Sequence, residues 1–248
     1  MTWEQLVAQA WPAAQNERIG DWLLRYSGGV TKRANSVQVL GPAERPGPRE
    51  LDAAVAEVEG FYAGHGLPSC FQLGPGAPDW LAGELAGRGY RTVDPTLIMT
   101  APLTGPEPDV PDPEPVTVHD RPSLDWLDAW LSVDGRGGPE QVPWARTILT
   151  GHPSVYAEVG GDSGGPPRAV GRGVPQGEWL GVYCMATEPS QRRRGYGAAV
   201  LRTLRAWGAR RGAERAYLLV TEANKPALRL YERAGFEVAA HYSYQVKG

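Results

Sequence analysis

A match between the two halves of the chain is the feature that most limits its fold. The segment that begins at Leu51 aligns with the segment that begins at Gly197, 146 positions later, over more than 40 residues without a gap. Gly89 pairs with Gly235, and an aromatic residue follows each of them. Each copy has the pattern helix, strand, helix, strand, with glycines where left-handed C-caps fall. We interpret the match as a duplication. The alternative is that two unrelated α/β segments have the same order and spacing of helices and strands.

A proline-rich segment separates the two copies. Ala101–Val116 contains six prolines and four acidic residues, a composition that favours an extended linker over a helix or a central strand. At 248 residues the chain is long enough for two domains of about 100–150 residues each. We therefore predict an α/β fold in two domains, over 1–102 and 116–248, joined by a linker over 103–115.

The composition is that of an ordinary globular protein. The net charge of −3 gives no reason to expect a nucleic acid or an anionic membrane as a partner, and no apolar run approaches the roughly 18 residues of a membrane span. The N-terminal segment does not resemble a signal peptide, so we expect a cytoplasmic protein with Cys70 and Cys184 as buried free thiols. The histidines have no ligand spacing, so no metal site is predicted. The sequence leaves the oligomeric state open.

A loop rich in glycine and arginine follows an apolar strand in the second copy. The segment Trp179–Ala186 suits a buried strand, and a helical pattern begins at Gly197. Between them lies Arg192-x-x-Gly195-x-Gly197, in which the glycines let the backbone approach a ligand closely. The free N–H groups and the positive dipole end of the helix behind the loop make an anion site suited to a pyrophosphate. An ordinary solvated turn is the alternative reading of this loop alone.

A second motif begins 27 residues after the last glycine of the loop. Asn224 precedes a helix in which Ala227, Leu230 and Tyr231 share one face. The combined pattern, R-x-x-G-x-G and then N-x-x-A-x-x-x-Y-x-x-x-G-F, resembles the GNAT superfamily of N-acetyltransferases. The resemblance covers residues 116–248.

The resemblance implies an acetyl-CoA-dependent N-acetyltransferase, in which the amine of a small molecule or peptide attacks the thioester directly. It also implies two tandem GNAT-like domains and a mixed sheet, in which the strand before the loop splays from its neighbour. The V-shaped cleft between the strands holds the pantetheine arm of acetyl-CoA, with strand-like bonding from Met185, Ala186 and Thr187, and with Asn224 and Tyr231 near the thioester. The residues implied at the pyrophosphate are Arg192, Arg193, Arg194, Gly195, Tyr196, Gly197 and Ala198.

Acetyl transfer to an amine needs a neutral amine, a stabilised oxyanion and a protonated leaving thiolate. A tyrosine, with an ordinary pKa of about 10, can donate a proton to a thiolate whose thiol has a pKa of about 8.5. Tyr231 is therefore the candidate general acid, and its alternative is a core tyrosine of the last helix. Glu178 is the candidate base, although some family members carry a glutamate three residues later, where this chain has Gly181. A water chain or an already neutral amine is an equal alternative to Glu178.

The first copy departs from the family at the positions that carry the motifs. The counterparts of the asparagine and the tyrosine are Pro78 and Leu85, and those of the two loop glycines are Arg49 and Leu51. Prolines close to Arg49 and Leu51 remove amide donors from the loop. We predict that the first domain is degenerate and lacks a cofactor site.

Residues 21–41, upstream of the first copy, have the pattern of a β-hairpin. Thr31, Lys32, Arg33 and Asn35 lie in its loop. Two interpretations of these polar residues stay open: they line an acceptor site, or they form a polar contact between the two halves.

One string points to a different class of enzyme. Residues 161–166 read GDSGGP, the string around the nucleophilic serine of trypsin-like proteases, but no histidine has the required Ala-Ala-His-Cys setting. We predict that Ser163 is a loop residue between two strands. Two alternatives to the N-acetyltransferase remain: a non-catalytic acyl-CoA-binding protein, and a transferase with one dedicated amine, as in tandem members that resemble mycothiol synthase.

Overall fold

The computed structural model describes residues 1–41, 44–104, 112–133, 138–160 and 165–248. The helices are α1 (Trp3–Ala10), α2 (Pro48–Gly64), α3 (Asp79–Gly87), α4 (Leu124–Val133), α5 (Val142–Thr150), α6 (Tyr196–Ala209) and α7 (Lys225–Arg233). The strands are β1 (Gln15–Ile19), β2 (Trp22–Tyr26), β3 (Val37–Val39), β4 (Ser69–Leu73), β5 (Arg91–Pro102), β6 (Val116–His119), β7 (Val155–Val159), β8 (Ala169–Gln176), β9 (Trp179–Thr187), β10 (Arg215–Thr221) and β11 (Glu237–Lys247).

The internal match in the sequence is also a match of secondary structure. The strands β4 and β10, the helices α3 and α7, and the strands β5 and β11 begin at residues 146 positions apart. Gly89 and Gly235 follow the two helices with φ angles of +86° and +80°, a left-handed conformation that favours glycine. The predicted pattern of helix, strand, helix, strand in each half is confirmed.

One compact unit, unit 1, comprises residues 1–97, 221–223 and 240–248. Its strands follow the order β1-β2-β3-β4-β11. Residues 243–247 of β11 pair antiparallel with β4, and β2 pairs antiparallel with β3, which confirms the predicted hairpin. Helices α2 and α3 pack on one face of these strands around Phe71, within a single apolar core.

The second compact unit, unit 2, comprises residues 98–220 and 224–239. Its strands follow the order β5-β10-β9-β8-β7-β6. Strands β6 to β9 are antiparallel to one another, whereas β10 is parallel to β9. The predicted α/β fold with a mixed sheet is confirmed.

Different helices cover the two faces of the sheet of unit 2. A Cβ atom on Gly171 would lie 2.6 Å from Cγ1 of Val200, so this glycine lets α6 pack closely on β8. Its neighbour Arg172, which points to the opposite face, pairs across the strands with Tyr156. The ring of Tyr156 meets the ring of Trp126 from α4 edge-on, with centroids 5.3 Å apart. We name the two sides the α6 face and the α4 face.

The compact units differ from the predicted domain boundaries at the C-terminal end, because residues 240–248 belong to unit 1. The boundaries 1–102 and 116–248 stay a prediction, and so does the degeneracy of the first domain. Residues 105–111 of the predicted linker lie outside the described residues, and so does Ser163.

Both cysteines are free thiols. Cys70 is buried, and burial raises the pKa of its thiol to about 12, so it stays protonated at neutral pH. Cys184 is only half-buried. In the ranges that the structure describes, no helix has the length and apolar character needed to cross a membrane.

Candidate active site

Strands β9 and β10 run side by side over only part of their length. They pair in parallel from Trp179 opposite Arg215 to Val182 opposite Leu218. Beyond Val182, β9 continues to Thr187 and stays paired with β8. The pairing of β9 with β10 therefore ends at Val182 while β9 continues, which is the place where the family resemblance puts a cleft.

A β-bulge in β9 lies directly after the point where the strands part. Cys184 has a φ of +54°, and the register between β8 and β9 shifts there, so that two residues of β9 face one residue of β8. The facing residue is Gly171, and a Cβ atom on it would lie 2.7 Å from Sδ of Met185. Bulges bend a strand and increase its twist, so this one bends β9 where its pairing with β10 ends.

The turn between β9 and α6 contains two residues with a left-handed backbone conformation. Arg193 has a φ of +63° and Gly195, which precedes the helix as its N-cap, has a φ of +88°. The guanidinium of Arg192 donates to the carbonyl oxygen of Thr187 at 3.3 Å, and the side chains of the three arginines in this turn are exposed. Helix geometry leaves the first N–H groups of α6 without a partner inside the helix.

Three elements meet at Gly197, in the first turn of α6. A Cβ atom on this glycine would lie 3.2 Å from Oγ1 of Thr187 at the end of β9 and 3.6 Å from Cδ2 of Leu230 in α7. The end of β9, the first turn of α6 and the face of α7 that carries Leu230 therefore adjoin. The structure brings the two sequence motifs together at this point.

Acidic residues from the end of the predicted linker contact the first two turns of α6. The hydroxyl of Tyr196 donates to Oε1 of Glu114 at 2.9 Å, and Arg168 forms an ion pair with the same carboxylate. Asp112 accepts a hydrogen bond from Arg202. The described end of the linker is thus tied to α6, which its composition alone did not indicate.

Asn224 is the N-cap of α7. Its Oδ1 accepts a hydrogen bond from the backbone N–H of Ala227 at 3.2 Å, and its side chain is exposed. The hydrogen bond satisfies one of the donors that a helix leaves open at its first turn. The asparagine of the motif therefore has a clear structural task, which is to start the helix that carries Tyr231.

Tyr231 lies in the last turns of α7 and is 6% exposed. Its ring packs edge-on against Phe236, with centroids 6.0 Å apart. The preceding residue, Leu230, contacts the position of Gly197, so Tyr231 lies on the part of α7 next to the start of α6.

The structure does not bring Glu178 to the place where β9 and β10 part. Glu178 is exposed and lies in the turn between β8 and β9, next to Gly177 with its φ of +65°. Val182 is four residues further along β9, roughly 13 Å at the rise of a strand. Glu178 lies before the first residue of β9, whereas β9 loses its pairing with β10 toward the other end of the strand.

The polar residues of the hairpin loop in unit 1 contact the loop itself and other elements of unit 1. Asn35 accepts the backbone N–H of Ser27 at 2.7 Å and donates to the carbonyl oxygen of Thr31 at 2.7 Å. Lys32 forms an ion pair with Asp94 at 2.9 Å, and both are about half exposed. Of the four residues singled out in the sequence, Asn35 thus holds the loop itself, whereas the side chains of Thr31, Lys32 and Arg33 contact other elements of unit 1.

The sequence reading missed a chain of buried hydroxyl groups on the α4 face. The hydroxyl oxygens of Tyr183 and Tyr217 are 2.9 Å apart, and the hydroxyl of Tyr217 donates to Oε1 of Gln176 at 2.6 Å. All three side chains are buried. Tyr217 on β10 is 34 residues from Tyr183 and 41 from Gln176 along the chain, so no motif in the sequence indicates the contact.

Gly181 leaves the space that these hydroxyl groups occupy. A Cβ atom on it would lie 2.7 Å from Cε2 of Tyr183 and 2.9 Å from Oη of Tyr217. A side chain at this position, such as the glutamate of some family members, cannot stand beside both tyrosines where they are. The contact between the two tyrosines therefore requires a glycine at position 181.

Replacing Gly181 with alanine is expected to lower the free energy of unfolding by about 1–3 kcal/mol, the usual effect of overpacking a core. The change should appear as a lower midpoint in urea unfolding. Gly60→Ala is the matched control, because a Cβ atom on Gly60 would have nothing within 4 Å and alanine favours the helix. Equal midpoints for Gly181→Ala and the unchanged protein would show that a Cβ atom at position 181 does not crowd the two tyrosines.

Comparison with known proteins shows which family the chain is similar to. The family model described as "Probable histone acetyltransferase Rv0428c C-terminal" matches residues 2–245. The N-acetyltransferase YobR of Bacillus subtilis is 32% identical over 246 residues, which are 98% of this chain and 97% of YobR. A mycothiol acetyltransferase of Salinispora tropica is 32% identical over 180 residues, which are 63% of this chain and 56% of that protein.

Solved structures agree on the fold. A tandem GNAT protein from the clavulanic acid biosynthesis pathway superposes with a TM-score of 0.66 at 12% identity, over 98% of this chain and 86% of that protein. The family match and the identity to YobR extend over nearly the whole chain, so the family and the enzyme class follow from them. The protein is an acyltransferase and belongs to the GNAT superfamily of N-acetyltransferases.

Proposed function

We propose that this chain transfers the acetyl group of acetyl-CoA to an amine, which attacks the thioester directly. The observation that carries the proposal is that β9 loses its pairing with β10 after Val182 and ends beside the first turn of α6 and beside α7. An extended ligand such as pantetheine can bond along the open edge of a strand, as an added strand does. A pyrophosphate attached to it then meets the N-terminus of α6.

Backbone groups of β9 are the proposed contacts of pantetheine. Ala186 and Thr187 pair with β8 along one edge of the strand, and each strand has a second edge on its other side. Beyond Val182 that edge borders the cleft, where β10 has parted from β9. Met185, in the bulge, completes the proposed set with Ala186 and Thr187.

The turn and the first residues of α6 are the proposed pyrophosphate site. The helix dipole places about +0.5 charge at this end, and successive N–H groups in a turn with left-handed residues make a concave anion site. Exposed guanidinium groups add positive charge. The proposed residues are Arg192, Arg193, Arg194, Gly195, Tyr196, Gly197 and Ala198.

Tyr231 is the proposed general acid that protonates the departing thiolate, and Asn224 caps the helix that carries it. The amine must lose its proton before it attacks. The distance of Glu178 from the point where the strands part favours an amine that is already neutral over proton removal by this glutamate.

A second candidate is a transferase with one dedicated amine. The likeness to mycothiol acetyltransferases supports it, although the chain spans only 56% of the length of the Salinispora tropica protein. The identity of the acceptor separates this candidate from a transferase of broader use.

Titration calorimetry should give one acetyl-CoA per chain. The first copy carries Arg49 and Leu51 where the second has its loop glycines, and its helix begins at Pro48, which has no backbone donor, so the first copy offers fewer backbone donors at a close approach. Release of CoA, followed with a panel of amines, tests the transfer itself. A stoichiometry near two would contradict the degenerate first domain, and no binding at all would contradict the proposed cofactor.

A further inference from the structure

One guanidinium group of α6 contacts the end of α7 and the end of β5. Arg205 donates to the carbonyl oxygen of Ala234, the C-cap of α7, and to the carbonyl oxygen of Pro102 at 3.1 Å. The same group lies over the ring of Phe236, 5.6 Å from its centroid. All four residues belong to unit 2, so this half-buried side chain holds three elements of unit 2 together.

The turn that Arg205 contacts is bonded directly to the backbone of Tyr231. The N–H groups of Ala234 and Phe236 both donate to the carbonyl oxygen of Tyr231 at 3.0 Å, and the ring of Phe236 packs against the tyrosine ring. A cation at the C-terminal end of a helix also interacts favourably with the helix dipole. A displacement of this turn therefore displaces the tyrosine.

Helix α7 contacts α6 at two places of different physical character. Near the start of α6, Leu230 packs against the position of Gly197. About two turns further along α6, Arg205 forms its hydrogen bonds with the end of α7. Apolar packing has no preferred direction, whereas a hydrogen bond weakens steeply when its angle changes. The guanidinium is therefore suited to fix the tilt and rotation of α7, which packing leaves adjustable.

The first copy has an acidic residue at the position of Arg205. The residue 146 positions earlier is Glu59, whose carboxylate accepts a hydrogen bond from the hydroxyl of Tyr90 at 3.2 Å. An ionised carboxylate cannot donate to a carbonyl oxygen at the end of a helix. The counterpart of Tyr231 in the same copy is Leu85. The guanidinium thus occurs in the copy whose last helix carries the tyrosine.

We infer that Arg205 is a positioning residue of the acetyl transfer, which places the hydroxyl of Tyr231 at the departing sulfur by fixing the end of α7. The inference rests on the proposed function, in which Tyr231 is the general acid. The amine nitrogen bonds to the carbonyl carbon, the C–S bond breaks, and the sulfur takes the tyrosine proton, which the proton lost by the nitrogen replaces. Arg205 itself exchanges no proton, because a guanidinium stays charged in proteins.

Arg205→Met is expected to lower kcat about tenfold, because misplacing a reacting group by about 1 Å can cost on the order of 10²-fold in rate. Methionine keeps an unbranched apolar side chain and removes every donor. Arg205→Lys keeps the charge but loses the planar group that reaches two carbonyl oxygens, so kcat should fall only about threefold. CoA release with an amine that the panel identifies measures kcat, and titration calorimetry should show unchanged affinity for acetyl-CoA in both variants.

A double-mutant cycle with Tyr231→Phe distinguishes positioning from a general effect on the fold. Phenylalanine has no hydroxyl to place, so Arg205→Met should change kcat by less than about twofold in that background. Where Arg205→Met does not fold, Arg205→Lys completes the same cycle. The same loss of kcat with and without the tyrosine hydroxyl, or an unchanged kcat in both arginine variants, would overturn the inference.

Arg88→Met is the matched control for the loss of a contact between helices. Arg88 is the C-cap of α3, and its guanidinium forms ion pairs with Asp52 of α2 at 2.5 Å and with Glu84 at 2.6 Å. Its substitution should lower the melting temperature without a change in kcat, whereas Arg205→Met should lower both. An equal loss of kcat in the two variants would reduce the role of Arg205 to stability.

The same measurements separate a failure of this inference from a failure of the proposed function. A strong loss of kcat in Tyr231→Phe, together with an additive cycle, would remove the positioning role and leave the acid role intact. A near-normal kcat in Tyr231→Phe would remove the acid role and the inference with it. CoA release with no amine of the panel would remove the proposed acetyl transfer and everything that rests on it.

Discussion

Gly195→Asp is expected to abolish the binding of acetyl-CoA. The residue is the N-cap of α6 with a φ of +88°, and its carboxylate would stand against the proposed pyrophosphate, where like charges repel at short range. A ligand that binds only the folded state raises its melting temperature by mass action. The rise produced by acetyl-CoA should therefore disappear in the aspartate variant.

Gly195→Asn separates charge from backbone strain. Asparagine has the shape of aspartate and tolerates a left-handed conformation comparably, and a Cβ atom there would lie 3.6 Å from Cγ of Pro113, an ordinary contact. The asparagine variant should keep most of the thermal shift. A shift retained in a folded Gly195→Asp variant would mean that the pyrophosphate does not lie at this turn.

Tyr231→Phe is expected to lower kcat by about 10²–10⁴-fold, the usual contribution of a general acid or base. The substitution removes only the hydroxyl and keeps the ring that packs against Phe236 at 6.0 Å. Affinity for acetyl-CoA should change little, because the hydroxyl acts most strongly as charge develops on the sulfur. Steady-state kinetics with an amine that the panel identifies measures the effect.

The packing role of Tyr231 predicts a different pattern. In that case Tyr231→Phe would keep near-normal kcat, and Tyr231→Ala would lower the melting temperature through a cavity in the core. A phenylalanine variant with more than about half of the original kcat, under conditions where chemistry limits the rate, would exclude the acid role.

Much of the local structure follows from the sequence alone. The alternation of apolar residues and the glycines after each helix reflect forces that act within a few residues. For this reason the two copies, the hairpin of β2 and β3 and the starts of α6 and α7 were predictable. Asn224 could be placed before a helix because a capping side chain bonds only three residues ahead.

The sequence by itself determined the elements, the family and the positions of the two motifs. Only the tertiary structure decided that β9 bends at Cys184, because the bulge depends on Gly171 across the sheet. It also decided that residues 240–248 join unit 1 and that Tyr183 and Tyr217 meet Gln176. The contacts of β10 and of residues 240–248 join segments that are distant along the chain, and the register of all these strands is set by packing on both faces of a sheet, which the local order of residues does not encode.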